Sequence, residues 1–208
     1  MFTGIVQAIG QLVVIEEGKQ SLRLRIETGK LPLGGVAVGD SIATNGVCLT
    51  VTELPGNGFW ADVSTETLSL TTLGTKQVGD LVNLETSLTL NKPLGGHLVN
   101  GHIDGVGQVE EIINEGARFW RVKIVAPQNL ARYIAIKGSI CVDGTSLTVN
   151  KVEGSTFELM IIPQTWEQTV FSGYFMGSKV NLEVDVISRY LERLMRFKDP
   201  ALVTGSHD

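Results

Sequence analysis

The residues best suited to chemistry lie in a short segment that occurs twice. In an extended chain, residues 47–51 (VCLTV) point Val47, Leu49 and Val51 to one face and Cys48 and Thr50 to the other. Residues 145–149 (TSLTV) repeat the pattern, with Ser146 and Thr148 opposite Leu147 and Val149. A strand that only filled a core would turn its second face to solvent, where long charged side chains are common. Here that face is small, neutral and polar. Same-face neighbours stand about 6.5–7 Å apart, a spacing that suits the polar edge of a planar heterocycle held alongside backbone N–H and C=O groups. One planar ligand per copy is the functional reading. The competing reading is that these side chains satisfy nearby backbone groups, and the segment alone does not separate the two.

Other chemistries find less support. His97 and His102 flank a Gly-rich joint and His207 lies in the tail, with no metal-binding helix spacing among them. Cys48 and Cys141 are far apart and have no His pair beside them, so no metal is expected. His97 and His102 fit either a structural hydrogen bond or a functional role. His102 gains weight because Gly101-His102-Ile103 holds the place in the second copy that Gly4-Ile5-Val6 holds in the first. Gly105 and Gly107 begin a dinucleotide fingerprint whose third glycine is missing, and there is no Walker sequence, which disfavours nicotinamide and nucleotide cofactors. Cys48 as a covalent nucleophile lacks an assignable acid–base partner, and its counterpart is Ser146.

The elements that must position these residues follow from the duplication. Residues 41–51 (SIATNGVCLTV) return as residues 139–149 (SICVDGTSLTV), and the same offset maps residues 82–85 (VNLE) onto 180–183, Thr67 onto Thr165 and Gly79 onto Gly177. Gly4 and Gly10 answer to Gly101 and Gly107 with a slip of one residue. We expect one module at 1–97 and a second at 98–186, joined through residues 91–101 (NKPLGGHLVNG), where Pro93, Gly95 and Gly96 break regular structure. Runs such as residues 21–26, 108–112 and 119–124 read as short strands between Gly, Asn, Asp and Pro punctuation. The expected fold is all-β: two similar six-stranded antiparallel Greek-key barrels from an internal duplication, plus a C-terminal α-helix. Short helical turns are expected after residues 65–67 and after Thr165.

From Ile187 the apolar residues Tyr190, Leu191 and Leu194 form one helical stripe, with Arg189, Glu192, Arg193 and Arg196 on the other faces. The helix packs either on its own barrel or on another subunit. The second reading is favoured, because two closed barrels leave little surface for it, so residues 187–208 are read as a trimerisation helix and tail. The tail from Lys198 is expected to fray.

Composition bounds the function classes. Hydrophobic residues make up 43% of the 208 and charged residues 19%, enough for a packed core and too little charge for disorder. The net charge of -5, spread without long like-charge blocks, gives a nucleic acid or an anionic membrane little to hold, and neither is expected as a partner. Apolar runs such as 134–136 and 159–163 fall far short of the ~20 residues that cross a bilayer. The opening MFTGIVQAIG has no basic n-region or cleavage pattern, and the two cysteines form one disulfide at most; a reducing, cytoplasmic location is expected.

The opening MFTGIV, the NGVCLTV and DGTSLTV strands, STETL, GGHLVNGHIDGVG and IIPQT together resemble the riboflavin synthase family over nearly the whole chain. The resemblance implies two six-stranded barrels, a helix that assembles a homotrimer, and dismutation of two molecules of 6,7-dimethyl-8-ribityllumazine. One molecule gains a four-carbon unit and becomes riboflavin, the last step of riboflavin biosynthesis. The other leaves as 5-amino-6-(D-ribitylamino)uracil. Donor and acceptor are the same compound, so no cofactor is expected.

Carried over by motif, the first lumazine site takes Gly4, Ile5, Val6, Cys48, Leu49, Thr50, Asp62, Val63, Ser64, Thr65, Glu66 and Thr67. The second takes Gly101, His102, Ile103, Lys137, Ser146, Leu147, Thr148, Met160, Ile161, Ile162, Pro163, Gln164 and Thr165. Ser41 and Asp185 match polar positions near the sites. The resemblance implies proton transfer by His102, Ser146 or Thr148, with Cys48, Ser41 and Thr67 positioning or activating the partner, and Phe2-Thr3 closing the site. An alternative is a non-catalytic antenna protein that binds lumazine or riboflavin on the same barrels. A flavin-dependent reductase would need a nicotinamide domain beyond this length. Docking into a lumazine synthase capsid is left open by the sequence.

Overall fold

The computed structural model describes residues 1–19 and 21–197. Strands β1 (Ala8–Glu17), β2 (Ser21–Glu27), β3 (Ser41–Thr44), β4 (Val47–Glu53), β5 (Gly58–Ser64) and β6 (Leu81–Thr86) close into an antiparallel barrel in the order β1-β2-β5-β4-β3-β6. Strands β7 (Gly105–Gly116), β8 (Phe119–Val125), β9 (Ser139–Val142), β10 (Thr145–Glu153), β11 (Thr156–Ile161) and β12 (Lys179–Val184) close into a second barrel in the corresponding order. The two closed six-stranded barrels are those expected from the duplication.

Alternation builds each core. Val47, Leu49 and Val51 of β4 are buried with Leu24, Ile26, Phe59 and Leu84 in the first barrel. Val149 of β10 is buried with Ile124, Ile140, Phe157 and Leu182 in the second. The pairing of β4 with β5 shifts register between Val51 and Glu53, and that of β10 with β11 between Val149 and Lys151. These repeated bulges bend the site-bearing strands into closure.

The barrels meet at the tips of two hairpins. Asn45-Gly46 joins β3 to β4 and Asp143-Gly144 joins β9 to β10, all four residues with positive φ, as a two-residue hairpin turn demands. A Cβ on Gly46 would lie 2.7 Å from the Gly144 nitrogen, so the tips abut. Buried Asn83 and Asn181, repeat counterparts, lace the contact. Asn83 Nδ2 donates to the Asp143 carbonyl at 2.8 Å, and Asn181 Nδ2 to the Asn45 carbonyl at 2.9 Å. Their Oδ1 atoms accept the N–H groups of Val170 and Thr72. Every one of these contacts joins one barrel to the other.

Helix α1 (Thr65–Leu70) is capped by Ser64, whose Oγ accepts the Thr67 N–H at 3.2 Å. Helix α2 (Pro163–Gln168) begins at a proline, whose missing N–H costs nothing in a first turn. Both helices begin earlier than the sequence predicts, because the cap and the proline set their starts. Helix α3 (Val186–Arg196) buries none of its residues. Its polar side reaches its own barrel through Arg189 to Asp104 and through Arg132 and Tyr133 to Glu192. Ile187, Tyr190, Leu191, Leu194 and Met195 remain exposed. The expected fraying tail, from Lys198, and His207 lie outside the described residues.

Candidate functional site

The segments leading into β1 and β7 reach across to the opposite barrels. Phe2 and Val99 pair as an antiparallel bridge, both buried, with the Phe2 N–H on the Val99 carbonyl at 2.7 Å and the reverse bond at 3.1 Å. Beyond this bridge each leader crosses over. The Ser146 N–H of β10 donates to the Gly4 carbonyl at 2.7 Å, and the Cys48 N–H of β4 to the Gly101 carbonyl at 2.9 Å. Gly4 and Gly101 have φ of +73° and +83°, and a Cβ on either would lie 2.6 Å from the facing Cβ of Ser146 or Cys48. Glycine is required twice over, by dihedral and by space.

This corrects the grouping of residues by module. Gly4, with Ile5 and Val6 next to it in the chain, faces Ser146 in the second barrel. Gly101, His102 and Ile103 line a cavity of about 290 Å³ with Val47, Cys48, Glu66 and Thr67 of the first barrel. The repeat equates positions along the chain, but the leaders dock by long-range pairing that no local pattern encodes.

At the first-barrel site, Cys48 is half-buried, Thr50 and His102 are exposed, and Ser64 and Thr67 share a hydroxyl–hydroxyl contact of 3.1 Å. Thr65 and Asp62 are exposed nearby, whereas Leu49 and Val63 point into the core and can offer a ligand only backbone. Ser41 pairs with Thr50 across β3 and β4, and its carbonyl accepts the Ser87 hydroxyl at 2.9 Å.

At the second-barrel site, Ser146 Oγ lies 2.6 Å from His97 Nδ1, and the His97 N–H donates to the Thr3 carbonyl at 3.1 Å. His97 is buried, its Nε2 has no hydrogen-bond partner among the described residues, and burial lowers its pKa, with Asp185 acting in the opposite sense. A neutral imidazole bonded to a serine hydroxyl can pass a proton in either direction. Thr148, Met160, Ile162 and Gln164 are exposed and Leu147, Pro163 and Thr165 half-buried, whereas Ile161 belongs to the core. Lys137 is exposed, and its N–H donates to the Val149 carbonyl. Asp185 caps α3 by accepting the Ile187 N–H.

Sequence reasoning missed two residues, Glu85 and Glu183. They end the repeated VNLE segment and are 2% and 3% exposed. Each carboxylate accepts the backbone N–H groups of a leader. Thr3 and Gly4 donate to Glu85, and Asn100, Gly101 and His102 to Glu183. A glutamate closing an apolar strand motif in both copies was the available signal. Buried Cys141 pairs with Glu183 across β9 and β12, and its thiol is pushed well up by burial and by both carboxylates.

The lumazine binding domain family matches residues 3–87 and again 100–185. The chain is 44% identical over 200 residues to riboflavin synthase of Photobacterium phosphoreum, covering 96% of this chain and 91% of that one. The chain belongs to the riboflavin synthase family. Riboflavin synthase of Mycobacterium tuberculosis is 44% identical over 94% of this chain and 98% of its own, and that of Bacillus subtilis 39% over 94% and 90%. Membership of riboflavin synthase makes the chain an enzyme of the transferase type. Among solved structures, LumP complexed with riboflavin superposes with a TM-score of 0.80 at 28% identity, covering 88% of this chain and 99% of that one. LumP complexed with 6,7-dimethyl-8-(1'-D-ribityl) lumazine gives 0.78 at 27%, with the same coverage. No helix among the described residues is long and apolar enough to cross a membrane.

Proposed function

We propose that the chain converts two molecules of 6,7-dimethyl-8-ribityllumazine into riboflavin and 5-amino-6-(D-ribitylamino)uracil by transfer of a four-carbon unit, without a cofactor. The observation that carries this reading is the crossed pair of equivalent strand edges, Gly101 on Cys48 and Gly4 on Ser146. A reaction between two copies of one compound needs two places that hold the same ring, and a duplicated edge supplies them. Holding both rings in a reactive arrangement contributes on the order of 7–11 kcal/mol to such a reaction.

One lumazine lies against β4 with Gly101, His102, Ile103, Thr50 and Thr67 around it. The other lies against β10 with Gly4, Ile5, Val6, Thr148, Lys137 and the residues 160–165. The C7 methyl group of one ring must lose a proton and C7 of the other must take a nucleophile. The proton-transfer groups in this reading are His102, Thr148 and Ser146, the last with His97 behind it. Cys48, Ser41 and Thr67 orient the partner ring, and Asp185 stands at the head of α3.

The same reading makes the protein a cytoplasmic homotrimer. The apolar face of α3, exposed on a single chain, would lie between subunits and bring a ring of one subunit to a ring of its neighbour. The test is to incubate the purified protein with 6,7-dimethyl-8-ribityllumazine alone and follow riboflavin by absorbance. Multiple turnovers are expected. Binding without riboflavin formation would instead establish the antenna reading.

A further inference from the structure

Glu85 and Glu183 occupy the same position in the repeat, on β6 and β12, and both are buried. Each grips a leader from behind. Glu85 Oε1 accepts the Thr3 N–H at 2.8 Å and the Thr3 hydroxyl at 2.6 Å, and Oε2 the Gly4 N–H at 2.9 Å. Glu183 Oε1 accepts the Asn100 N–H at 2.6 Å, and Oε2 those of Gly101 and His102 at 2.9 and 3.1 Å. Among the gripped residues, Gly4 and Gly101 are those whose carbonyls receive the Ser146 and Cys48 N–H groups. Glu85, in the first barrel, therefore fixes the leader that faces β10 of the second, and Glu183, in the second, fixes the one that faces β4 of the first. We propose that Glu85 and Glu183 are a crossed pair of positioning residues, each setting the backbone edge of the ring site on the opposite barrel.

The pair is not balanced electrically. Glu85 has a cation beside it, Lys92 Nζ at 4.0 Å, and a hydroxyl bond from Thr3. Around Glu183 a cavity of about 480 Å³ is lined by Asp104, His102, Arg189, Tyr190, Glu192 and Arg193, and Cys141 lies opposite it on β9. Arg189 is engaged by Asp104. Burial, the largest influence, and Asp104 push the Glu183 carboxyl up to about 7 against the three N–H bonds that favour its charge. The grip on Asn100–His102 is complete when Glu183 is ionised. It loosens as the pH falls below about 7, while burial raises Glu85 against its donors and Lys92.

This inference rests on the lumazine reading only for what the sites hold, so its test begins without ligand. In the full-length protein, the backbone amide resonances of Asn100 and Gly101 are expected to titrate together with a midpoint near pH 7. Glu183→Gln should abolish that titration. Its persistence in the variant would assign it to a group other than Glu183 and overturn the proposal, as would its absence from the wild type. Should the variant not fold, the wild-type titration still decides. Added 6,7-dimethyl-8-ribityllumazine is then read site by site from the Cys48 and Ser146 amides. Glu183→Gln should weaken occupancy at Cys48 by about tenfold and spare Ser146, and Glu85→Gln the reverse. Equal loss at both amides would overturn the crossed assignment. A ligand-free titration that stands while lumazine perturbs neither amide would leave the clamp in place and remove the substrate reading.

Discussion

The two barrels share strand order, bulges, hairpin tips and crossed leaders, yet differ where side chains meet the site. Cys48 shares its cavity with His102 and Ile103 in one, and Ser146 bonds to His97 in the other. One clamp carries a lysine and the other a carboxylate neighbour. At the tips, Asn45 answers to Asp143, and in the second barrel Trp120 stacks on Trp166 at 4.2 Å where the first has Leu22 and Leu68. The backbone contacts between leader and strand are the same in both copies, while the side chains around them have diverged, as the proposed reading of two pockets for one compound in two roles expects.

The comparison breaks most severely if the crossing is removed. Gly101→Val places a branched side chain at φ +83° against Cys48, and should cost about 2–4 kcal/mol by denaturant unfolding and roughly a hundredfold in kcat. Gly4→Val should do the same through Ser146. His97→Ala sharpens the contrast between sites. Loss of the imidazole behind Ser146 should lower kcat roughly 10- to 100-fold while lumazine still perturbs the Cys48 site, measured by steady-state kinetics and ligand titration.

A smaller effect separates the hairpin tips. Burial raises the Asp143 carboxyl from 3.8 to about 6, against hydrogen bonds from Tyr174 and the Asn181 N–H. The folded state therefore holds a proton that the unfolded state releases, and stability falls as the pH rises from about 4 to about 6, by at most about 3 kcal/mol. Asp143→Asn, which copies Asn45, should abolish this fall and raise Tm relative to the wild type at pH 8, by calorimetry. The smallest effect belongs to the aromatic pair. Trp166→Leu, which copies Leu68, should cost about 1 kcal/mol and leave the Cys48 site unchanged by ligand titration.

Much of this frame is legible in the sequence, because a repeat that keeps its spacing fixes strand order in both halves at once. Cys48 and Ser146 were visible as polar members of an alternating strand. The crossing was not, since Gly4 and Ser146 are joined by a backbone bond whose partners lie almost a module and a half apart. Nor were the clamps, because a glutamate at the end of a strand reads as solvent-facing until the leader that covers it is placed. Helix α3 was legible as a stripe. That its polar side, through Arg189 and Glu192, faces its own barrel required the structure to show.

The most direct test of the crossed double pocket is a crystal structure of the protein with a non-reacting lumazine analogue. Two rings per chain are predicted, one touching both Gly101–Ile103 and Cys48, the other both Gly4–Val6 and Ser146. A single ring per chain, or rings held by the residues of one module alone, would contradict the account.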